Sequence, residues 1–158
     1  MERRELLKIA AVAATAGRLA EAQGQHKFFS PGEFAIVDEL MEIIIPTDDH
    51  SPGARAAQCA SYVDGHLAEE PNETVKALWR EGIRNVDDLS KRLQGSSFMK
   101  ASPAGRVAVV ERLVQEKFFA RIKEATIHAY YTSKIGIHQE MEYKGNVLLN
   151  QFAGTEPF

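Results

Sequence analysis

The sequence is poor in the residues and motifs that hold metals, haem or nucleotides. Its 158 residues include a single cysteine, Cys59, so neither an intrachain disulfide nor a thiolate metal cluster can form within the chain. The C-x-x-C-H motif for haem attachment and the G-x-G-x-x-G loop for dinucleotides are both missing. We therefore expect this chain to carry no cofactor of its own.

The chain also lacks an excess of basic charge and a long hydrophobic run. Its 19 Lys and Arg residues against 22 Asp and Glu residues give a formal net charge of −3 at pH 7. A protein that binds nucleic acid usually presents a basic face, so we expect no nucleic-acid partner. Residues 9–17 form an apolar run near the N-terminus, but they fall far short of the ~20 residues that span a bilayer.

The N-terminal residues have the arrangement of an export signal. Paired arginines are followed by a leucine pair, a lysine, a mildly apolar stretch and an A-x-A triplet. This order is typical of a signal peptide, and the paired arginines resemble the twin-arginine type, which exports proteins already folded. We predict a signal over residues 1–22 and a periplasmic location, with a plain amphipathic helix as the alternative. The residues that carry the signal are Arg3, Arg4, Leu7, Lys8, Ala20 and Ala22.

Helical periodicity dominates the chain from residue 23 to residue 132. Ser30, Pro31 and Glu33 match the N-cap, the first helical position and the capping-box residue of a helix that stops before Pro46. The other predicted helices begin at about residue 54, after residue 72 and at residue 103, the last continuing to about residue 130 with or without a break. No segment alternates apolar and polar residues for long, so the sequence predicts an all-α fold, a small helical bundle of about four to five helices.

Apolar stripes indicate which side chains form the core. The stripe on the third helix comprises Val75, Leu78, Trp79, Ile83, Val86, Leu89 and Leu93. The stripe on the fourth comprises Val107, Val110, Leu113, Val114 and Phe118. Spacings of three and four place each set on one helix face, and Phe98 is expected to anchor the loop between the two helices. Trp79 is interpreted as a core residue or as a residue at the rim of a subunit contact.

Residues 133–158 are expected to form an irregular C-terminal arm of the same domain. Glycines at positions 136, 145 and 154 interrupt this segment, and it has no helical period. Its apolar residues are too many for a disordered tail, and its backbone groups need hydrogen-bond partners if they are buried. The arm therefore either folds back over the bundle or docks on another protein, and the sequence leaves both open.

Two segments, residues 46–53 and 130–145, combine turn residues with tyrosines and apolar side chains. Aromatic residues are enriched in the cores of protein interfaces, where one end is apolar and the other forms hydrogen bonds. We predict that these segments contact a partner, with Tyr131 and Tyr143 at the contact and the apolar side chains of the arm buried between them. The predicted interface residues are Pro46, Asp48, Pro52, Gly53, Tyr130, Tyr131, Ile135, Gly136, Ile137, Met141, Tyr143 and Gly145.

Three groups of residues offer catalytic or metal-binding chemistry, and each also has a structural interpretation. The candidate metal ligands are Asp48, Asp49, His50, His66, His128 and His138. The two aspartates also suit a turn, and they could instead pair with Glu69 or Glu70 as hydrolase carboxylates. Cys59 could be a nucleophile, but a thiol in this helix is expected to be buried and structural. We expect no catalytic residue and no metal site.

A series of short motifs runs in order from residue 28 to residue 145. The motifs are Phe28-Phe29, Ile44-Ile45-Pro46-Thr47-Asp48, Pro52-Gly53-Ala54, Phe118-Phe119, Ala129-Tyr130-Tyr131-Thr132-Ser133, Gly136 and Tyr143-Lys144-Gly145. The ordered set resembles the gluconate 2-dehydrogenase subunit 3 family. The resemblance covers nearly all of the chain that follows the predicted signal.

The resemblance implies a non-catalytic role in an oxidoreductase complex. Members of this family are the small, or gamma, subunits of membrane-associated dehydrogenases. Their large subunit is an FAD-containing flavoprotein of the glucose–methanol–choline type, and a c-type cytochrome with haem accepts its electrons. The resemblance also implies that the small subunit carries the export signal and escorts the folded large subunit. A free-standing enzyme and a periplasmic scaffold or ligand-binding module remain the alternatives.

Overall fold

The computed structural model describes residues 26–145, which form five α-helices with no strand among them. The helices are α1 (Pro31–Ile44), α2 (Cys59–Glu69), α3 (Glu73–Gln94), α4 (Pro103–Leu113) and α5 (Lys117–Tyr131). A 3₁₀ turn, Phe98–Lys100, precedes α4, and a π-helical turn, Gly136–Glu140, follows α5. The predicted all-α bundle is confirmed. The predicted signal and residues 146–158 of the arm lie outside the described residues. Within residues 26–145, no helix has the length and hydrophobicity needed to cross a bilayer.

Capping side chains set where three of the helices begin. Ser30 Oγ accepts from Glu33 N–H at 3.3 Å while Glu33 Oε2 accepts from Ser30 N–H at 2.9 Å, which is the predicted capping box of α1. Asn72 and Ser102 cap α3 and α4, each accepting one backbone N–H, at 2.9 Å and 3.1 Å. The starts of these helices are therefore decided locally, by short side chains next to the backbone that they cap.

The second helix begins later than the sequence predicts. Residues 54–58 form a turn, and the α-helix starts at Cys59 rather than near residue 54. Ala54 N–H donates to Ile45 O at 2.9 Å, so this residue belongs to the preceding loop. Gln58 has a left-handed backbone with φ of 57°, a conformation that interrupts a right-handed helix. The predicted start was wrong because the hydrogen bond to Ile45 and the left-handed conformation of Gln58 keep residues 54–58 out of the α-helix.

The core lies where α1, α2, α3 and α5 meet, and α4 packs against α3. Trp79 is a core residue, with its ring centroid 6.0 Å from that of Phe29 and 5.6 Å from that of Phe118. Gly82 lets the Phe118 ring approach α3, because a Cβ at this position would lie 2.1 Å from the ring. Phe98 is fully buried, which confirms the predicted anchor of the loop before α4.

Three residues of the predicted apolar stripes are exposed. Leu93 and Val107 each present 43 % of their area to solvent, and Val114 presents 47 %. The short helix α4 turns Gly105, Val109, Val110 and Leu113 inward. Val107 is two positions from Val109, about 200° away around the helix, and therefore faces outward. The prediction of burial is wrong at these three positions, because no helix among residues 26–145 packs over them.

A buried carboxylate in α2 fixes the chain where it enters the bundle. Asp64 accepts from the backbone N–H groups of Lys27, Phe28 and Phe29 at 2.6, 3.0 and 2.8 Å. Hydrogen bonds to an ionised acceptor are stronger than those between neutral groups. Residues 27–29 are thus attached to α2 although they form no helix or strand of their own.

The described part of the arm is more regular than the sequence predicts. Gly136–Glu140 form a π-helical turn, and within the described arm only Ser133 and residues 141–145 have no regular structure. Gly136 packs against the end of α5, since a Cβ at this position would lie 2.1 Å from the carbonyl oxygen of Tyr130. The beginning of the arm therefore folds onto its own bundle.

Candidate functional site

The loop between α1 and α2, residues 46–53, is closed by its own hydrogen bonds. Asp48 Oδ1 accepts from the N–H groups of Ser51 at 2.8 Å and His50 at 2.9 Å. Asp48 N–H in turn donates to Ser51 O at 3.1 Å. The backbone hydrogen bonds from Ser51 and His50 lower the pKa of Asp48, because they favour its charged form. The turn role predicted for Asp48 is confirmed.

Gly53 completes this loop by close packing. A Cβ at Gly53 would lie 2.5 Å from Thr47 N and 2.7 Å from Ile45 O, so a larger residue would have to displace the loop. Gly53 N–H donates to Thr47 Oγ1 at 2.9 Å, and Glu42 Oε1 accepts from both the N–H and the hydroxyl of Thr47. The loop is therefore fixed to the end of α1 at several points.

Tyr130 joins the loop to α5 from beneath the surface. Its side chain is 1 % exposed, and its hydroxyl donates to Pro52 O at 2.8 Å and contacts Ser51 Oγ. Burial raises the pKa of the Tyr130 phenol. The sequence places Tyr130 among the interface residues, whereas its ring lies in the core and its hydroxyl reaches the loop. Tyr130 is thus a buried link between two elements.

The start of the arm is attached to the same residue. Tyr130 O accepts from Ser133 N–H at 3.0 Å and from the Ser133 hydroxyl at 2.6 Å. Ser133 Oγ accepts in turn from Gly136 N–H at 3.0 Å. A direct contact joins the loop to the arm, where His50 Nε2 lies 3.3 Å from Glu140 O. Two segments that are far apart in the sequence therefore meet around Tyr130.

The loop and the described arm lie side by side, and we name residues 46–53 and 131–145 the composite surface. The predicted interface residues that are exposed on it are Pro46, Asp48, Tyr131, Met141, Tyr143 and Gly145, with Pro52, Ile135 and Ile137 half-buried. Gly53, Tyr130 and Gly136 lie buried beneath it. Tyr131, Met141 and Tyr143 expose 40 %, 50 % and 45 % of their area. The composite surface thus presents large, partly apolar side chains on a backbone that several hydrogen bonds hold in place.

A separate groove lies between α2, α3 and α5. Its volume is about 350 Å³, and its lining includes Tyr62, His66, Trp79, Arg121, Glu124 and His128. The ring centroids of Tyr62 and His66 are 4.4 Å apart, and the Tyr62 hydroxyl lies 3.5 Å from His128 Nδ1. These groups can offer an aromatic face and hydrogen bonds to a small polar ligand.

The remaining candidates for chemistry are distributed over several elements. Within residues 26–145, no group of three or more histidine, cysteine or carboxylate residues is placed to hold a metal ion. His66 and His128 line the groove, His50 lies on the loop and His138 in the arm. Burial raises the pKa of the Cys59 thiol to about 11, so little nucleophilic thiolate exists at neutral pH. Cys59 is buried, as the sequence predicts.

An ion-pair network that the sequence did not indicate holds three elements together. Arg55 pairs with Asp38 and with Glu39 of α1 at 2.6 Å each, and Arg106 of α4 pairs with Glu39 at 2.7 Å. Partial burial of Glu39 opposes ionisation, but the hydrogen bonds from Arg106 and Arg55 outweigh it and lower the pKa of Glu39. Local patterns cannot show such pairs, because their members come from separate segments.

Fold and surface together define a small all-α protein that presents a composite surface of loop and arm. The family model of gluconate 2-dehydrogenase subunit 3 matches residues 31–147, which is most of the chain. The chain therefore belongs to the gluconate 2-dehydrogenase subunit 3 family, and the resemblance carried by its motifs is confirmed. Searches of the curated proteins and of the solved structures return no match.

Proposed function

We propose that this chain is the non-catalytic small subunit that escorts an FAD-dependent dehydrogenase through export and stabilises it. Membership in a family named for a dehydrogenase subunit supports a place in an oxidoreductase complex. The proposed partner is a large FAD-containing subunit of the glucose–methanol–choline type, acting on a sugar, a polyol or gluconate. A c-type cytochrome with haem is the proposed electron acceptor. The complex associates with the inner membrane on its periplasmic side.

The convergence of the family motifs on the composite surface is the observation that carries this proposal. The motifs at residues 52–54 and 129–133 are separate in the sequence, yet the Tyr130 hydroxyl reaches Pro52 O, and Gly136 packs against Tyr130 O. The motif at residues 44–48 is joined to the same loop, where Asp48 Oδ1 accepts from Ser51 N–H. Tyr131 of the third motif presents 40 % of its area to solvent, and Met141 and Tyr143 of the arm present 50 % and 45 %. Exposed apolar and aromatic residues gathered on one surface are typical of a protein–protein contact.

The groove between α2, α3 and α5 favours a second candidate, a free-standing periplasmic scaffold or ligand-binding module. Its volume of about 350 Å³ falls in the range of small-molecule sites. Tyr62, His66 and His128 would supply the aromatic and polar contacts. This candidate expects the purified chain to bind a small ligand without a partner, whereas the first expects no flavin absorbance and no dye-linked oxidation of sugars from the chain alone.

Replacing both Tyr131 and Tyr143 with Ala tests the first candidate. The full chain is co-expressed with the flavoprotein reading frame that we expect beside its own. We expect the wild-type chain to co-purify with that large subunit and its flavin spectrum. Truncating one aromatic anchor typically costs on the order of 2 kcal/mol, so the double variant should bind at least about thirtyfold more weakly. Titration of the purified large subunit measures the affinity.

Tyr62→Ala is the matched control, because Tyr62 is as exposed as Tyr131 but lies at the groove. It should leave partner binding within about twofold of wild type. Thermal melting of each isolated variant reports on folding. If the double variant melts much earlier yet still assembles wherever it is folded, the two tyrosines stabilise the bundle and are not the docking contact. If the wild-type chain does not bind the flavoprotein but binds a small ligand, and Tyr62→Ala weakens that binding, the second candidate is supported.

A further inference from the structure

We infer that Tyr130 is a positioning residue: it fixes the loop and the arm relative to each other, so that they form a single docking surface. The docking half of this inference rests on the proposed function, whereas the positioning half concerns this chain alone. The Tyr130 side chain is almost wholly buried, so it cannot itself be a main contact with a partner. It acts through two connections. The hydrogen bond of its hydroxyl to the loop is called the side-chain tie, and the hydrogen bonds of its carbonyl oxygen to the arm are called the backbone tie. The contact between His50 and Glu140 on the surface depends on both ties.

The side-chain tie connects α5 to the loop. The Tyr130 hydroxyl, the Ser51 hydroxyl and the Pro52 carbonyl oxygen lie within hydrogen-bonding distance of one another. The two hydroxyl groups each have one hydrogen, so each can donate one hydrogen bond to another of these three oxygens. Without the Tyr130 hydroxyl, Ser51 can still donate to Pro52 O at 3.2 Å. Removing that one hydroxyl therefore cuts the link to α5 without leaving Ser51 an unpaired donor.

The backbone tie connects α5 to the arm. Tyr130 O accepts from both the N–H and the hydroxyl of Ser133, and Gly136 packs directly against this carbonyl. A Cβ at Gly136 would lie 2.1 Å from Tyr130 O and 2.9 Å from Tyr131 Cα. A methyl group at position 136 must therefore displace the arm from α5, and the three atoms nearest to it all belong to the backbone of Tyr130 and Tyr131. The two ties can be cut separately.

Hydrogen exchange and partner binding in two full-length variants, Tyr130→Phe and Gly136→Ala, test the inference. Tyr130→Phe should speed amide exchange in residues 46–54 about fivefold, the effect expected from losing one hydrogen bond. Gly136→Ala should speed exchange in residues 133–141 by at least about the same factor. Each variant should also bind the large flavoprotein subunit at least about fivefold more weakly, because part of the surface must be re-ordered on binding.

Two controls carry the same chemical changes away from the composite surface. Tyr62→Phe removes a tyrosine hydroxyl at the groove, and Gly65→Ala adds a methyl group where no atom lies within 4 Å. Both should leave exchange in the loop and the arm, and binding of the large subunit, as in wild type. They show that neither hydroxyl loss nor an added methyl group is sufficient by itself.

Three outcomes decide between the two halves of the inference. Unchanged exchange in the loop of Tyr130→Phe would overturn the positioning role, whatever happens to binding. Faster exchange with wild-type affinity would show that docking does not need the loop and arm in register, which overturns the docking half. If the wild-type chain fails to bind the flavoprotein while Tyr130→Phe still exchanges faster, the positioning role stands and the proposed function falls.

Discussion

At the scale of single residues, Asp64 holds the point where the chain enters the bundle. The carboxylate accepts three consecutive backbone N–H groups, from Lys27 to Phe29. Backbone donors at a partly buried position need an acceptor, and water replaces a carboxylate there only in part. Removing the carboxylate would therefore release the segment before α1 and expose the aromatic residues that it holds on the core.

We expect Asp64→Ala to lower the free energy of unfolding by about 3 kcal/mol, since it removes several hydrogen bonds to a charged group. Urea unfolding followed by circular dichroism measures the change. Asp88→Ala is the control, because the Asp88 side chain is 60 % exposed and forms an ion pair with Lys91 across the surface of α3. That substitution should change the stability by less than about 0.5 kcal/mol. Equal effects would show that Asp64 contributes no more than a surface ion pair.

Asp48 makes the loop sensitive to acid. The N–H groups of Ser51 and His50 favour the carboxylate and lower the pKa of Asp48 below its ordinary value of 3.8. The stabilisation of the folded loop is therefore complete above pH 3.8 and is lost as the pH falls through the lower pKa of the folded state. We expect the amide resonances of His50 and Ser51 to shift together, with a midpoint below pH 3.8.

The matched variant for this titration is Asp48→Asn. Asparagine keeps an acceptor oxygen but does not ionise, so the two amide resonances should stay in place over the same range. The amides of α3 report any global unfolding by acid. A midpoint above pH 3.8, or the same shift in the asparagine variant, would contradict the role assigned to the carboxylate.

At the scale of helices, the contact between α3 and α5 depends on a glycine. Gly82 is buried on α3, and a Cβ there would lie 2.1–2.6 Å from three atoms of the Phe118 ring. The ring also packs edge-on against Trp79, which limits how far it can move. The missing side chain at position 82 is therefore what lets the two helices approach each other here.

We expect Gly82→Ala to lower the free energy of unfolding by about 1–3 kcal/mol, because overpacking outweighs the ~1 kcal/mol that alanine gains in helix propensity. Gly65→Ala in α2 is the control, since no atom lies within 4 Å of the added methyl group. Only the higher helix propensity of alanine then acts, so the free energy of unfolding of this variant should rise by about 0.5–1 kcal/mol. Urea unfolding of both variants shows whether each substitution raises or lowers the free energy of unfolding. A stabilised Gly82→Ala protein would contradict the close contact.

At the scale of the whole molecule, the chain combines a predicted export signal with a lack of cofactor motifs. The twin-arginine route carries proteins already folded, and this chain lacks the motifs that would hold haem or a dinucleotide. The proposed function explains the combination, because the signal then serves the flavoprotein that travels with this chain. The composite surface is the part of the described molecule that would hold that cargo.

Replacing Arg3 and Arg4 with Lys tests the escort role directly. Lysine keeps the charge but lacks the planar guanidinium, so a signal that needs paired arginines should fail. We expect the large subunit to stay in the cytoplasm, as measured by cell fractionation and periplasmic dehydrogenase activity. Lys8→Arg keeps both the charge and the arginine pair and should export normally. Periplasmic large subunit in cells that carry only the double lysine variant would refute the escort role.

The fold class and the starts of several helices could be predicted from local features of the sequence. Ser30 and Ser102 cap helices through hydrogen bonds to residues three positions away. The helical spacing of apolar residues likewise acts over a few positions, so both features can be recognised without the tertiary structure. Phe98 could be predicted as an anchor because it is the one aromatic residue in a polar loop. The predictions failed where burial depends on a distant segment, as at Val107, which no helix of the described residues covers.

The way in which separate segments meet could not be predicted from the sequence and became visible in the folded structure. The loop and the arm could each be proposed as interface segments from their residues, and that role stays a prediction. Their meeting around a buried Tyr130 could not be foreseen. Asp64 likewise finds its three donors some 35 residues earlier in the chain. Such hydrogen bonds form only after burial of the shared core has brought the segments together, and they leave no periodic trace in either segment.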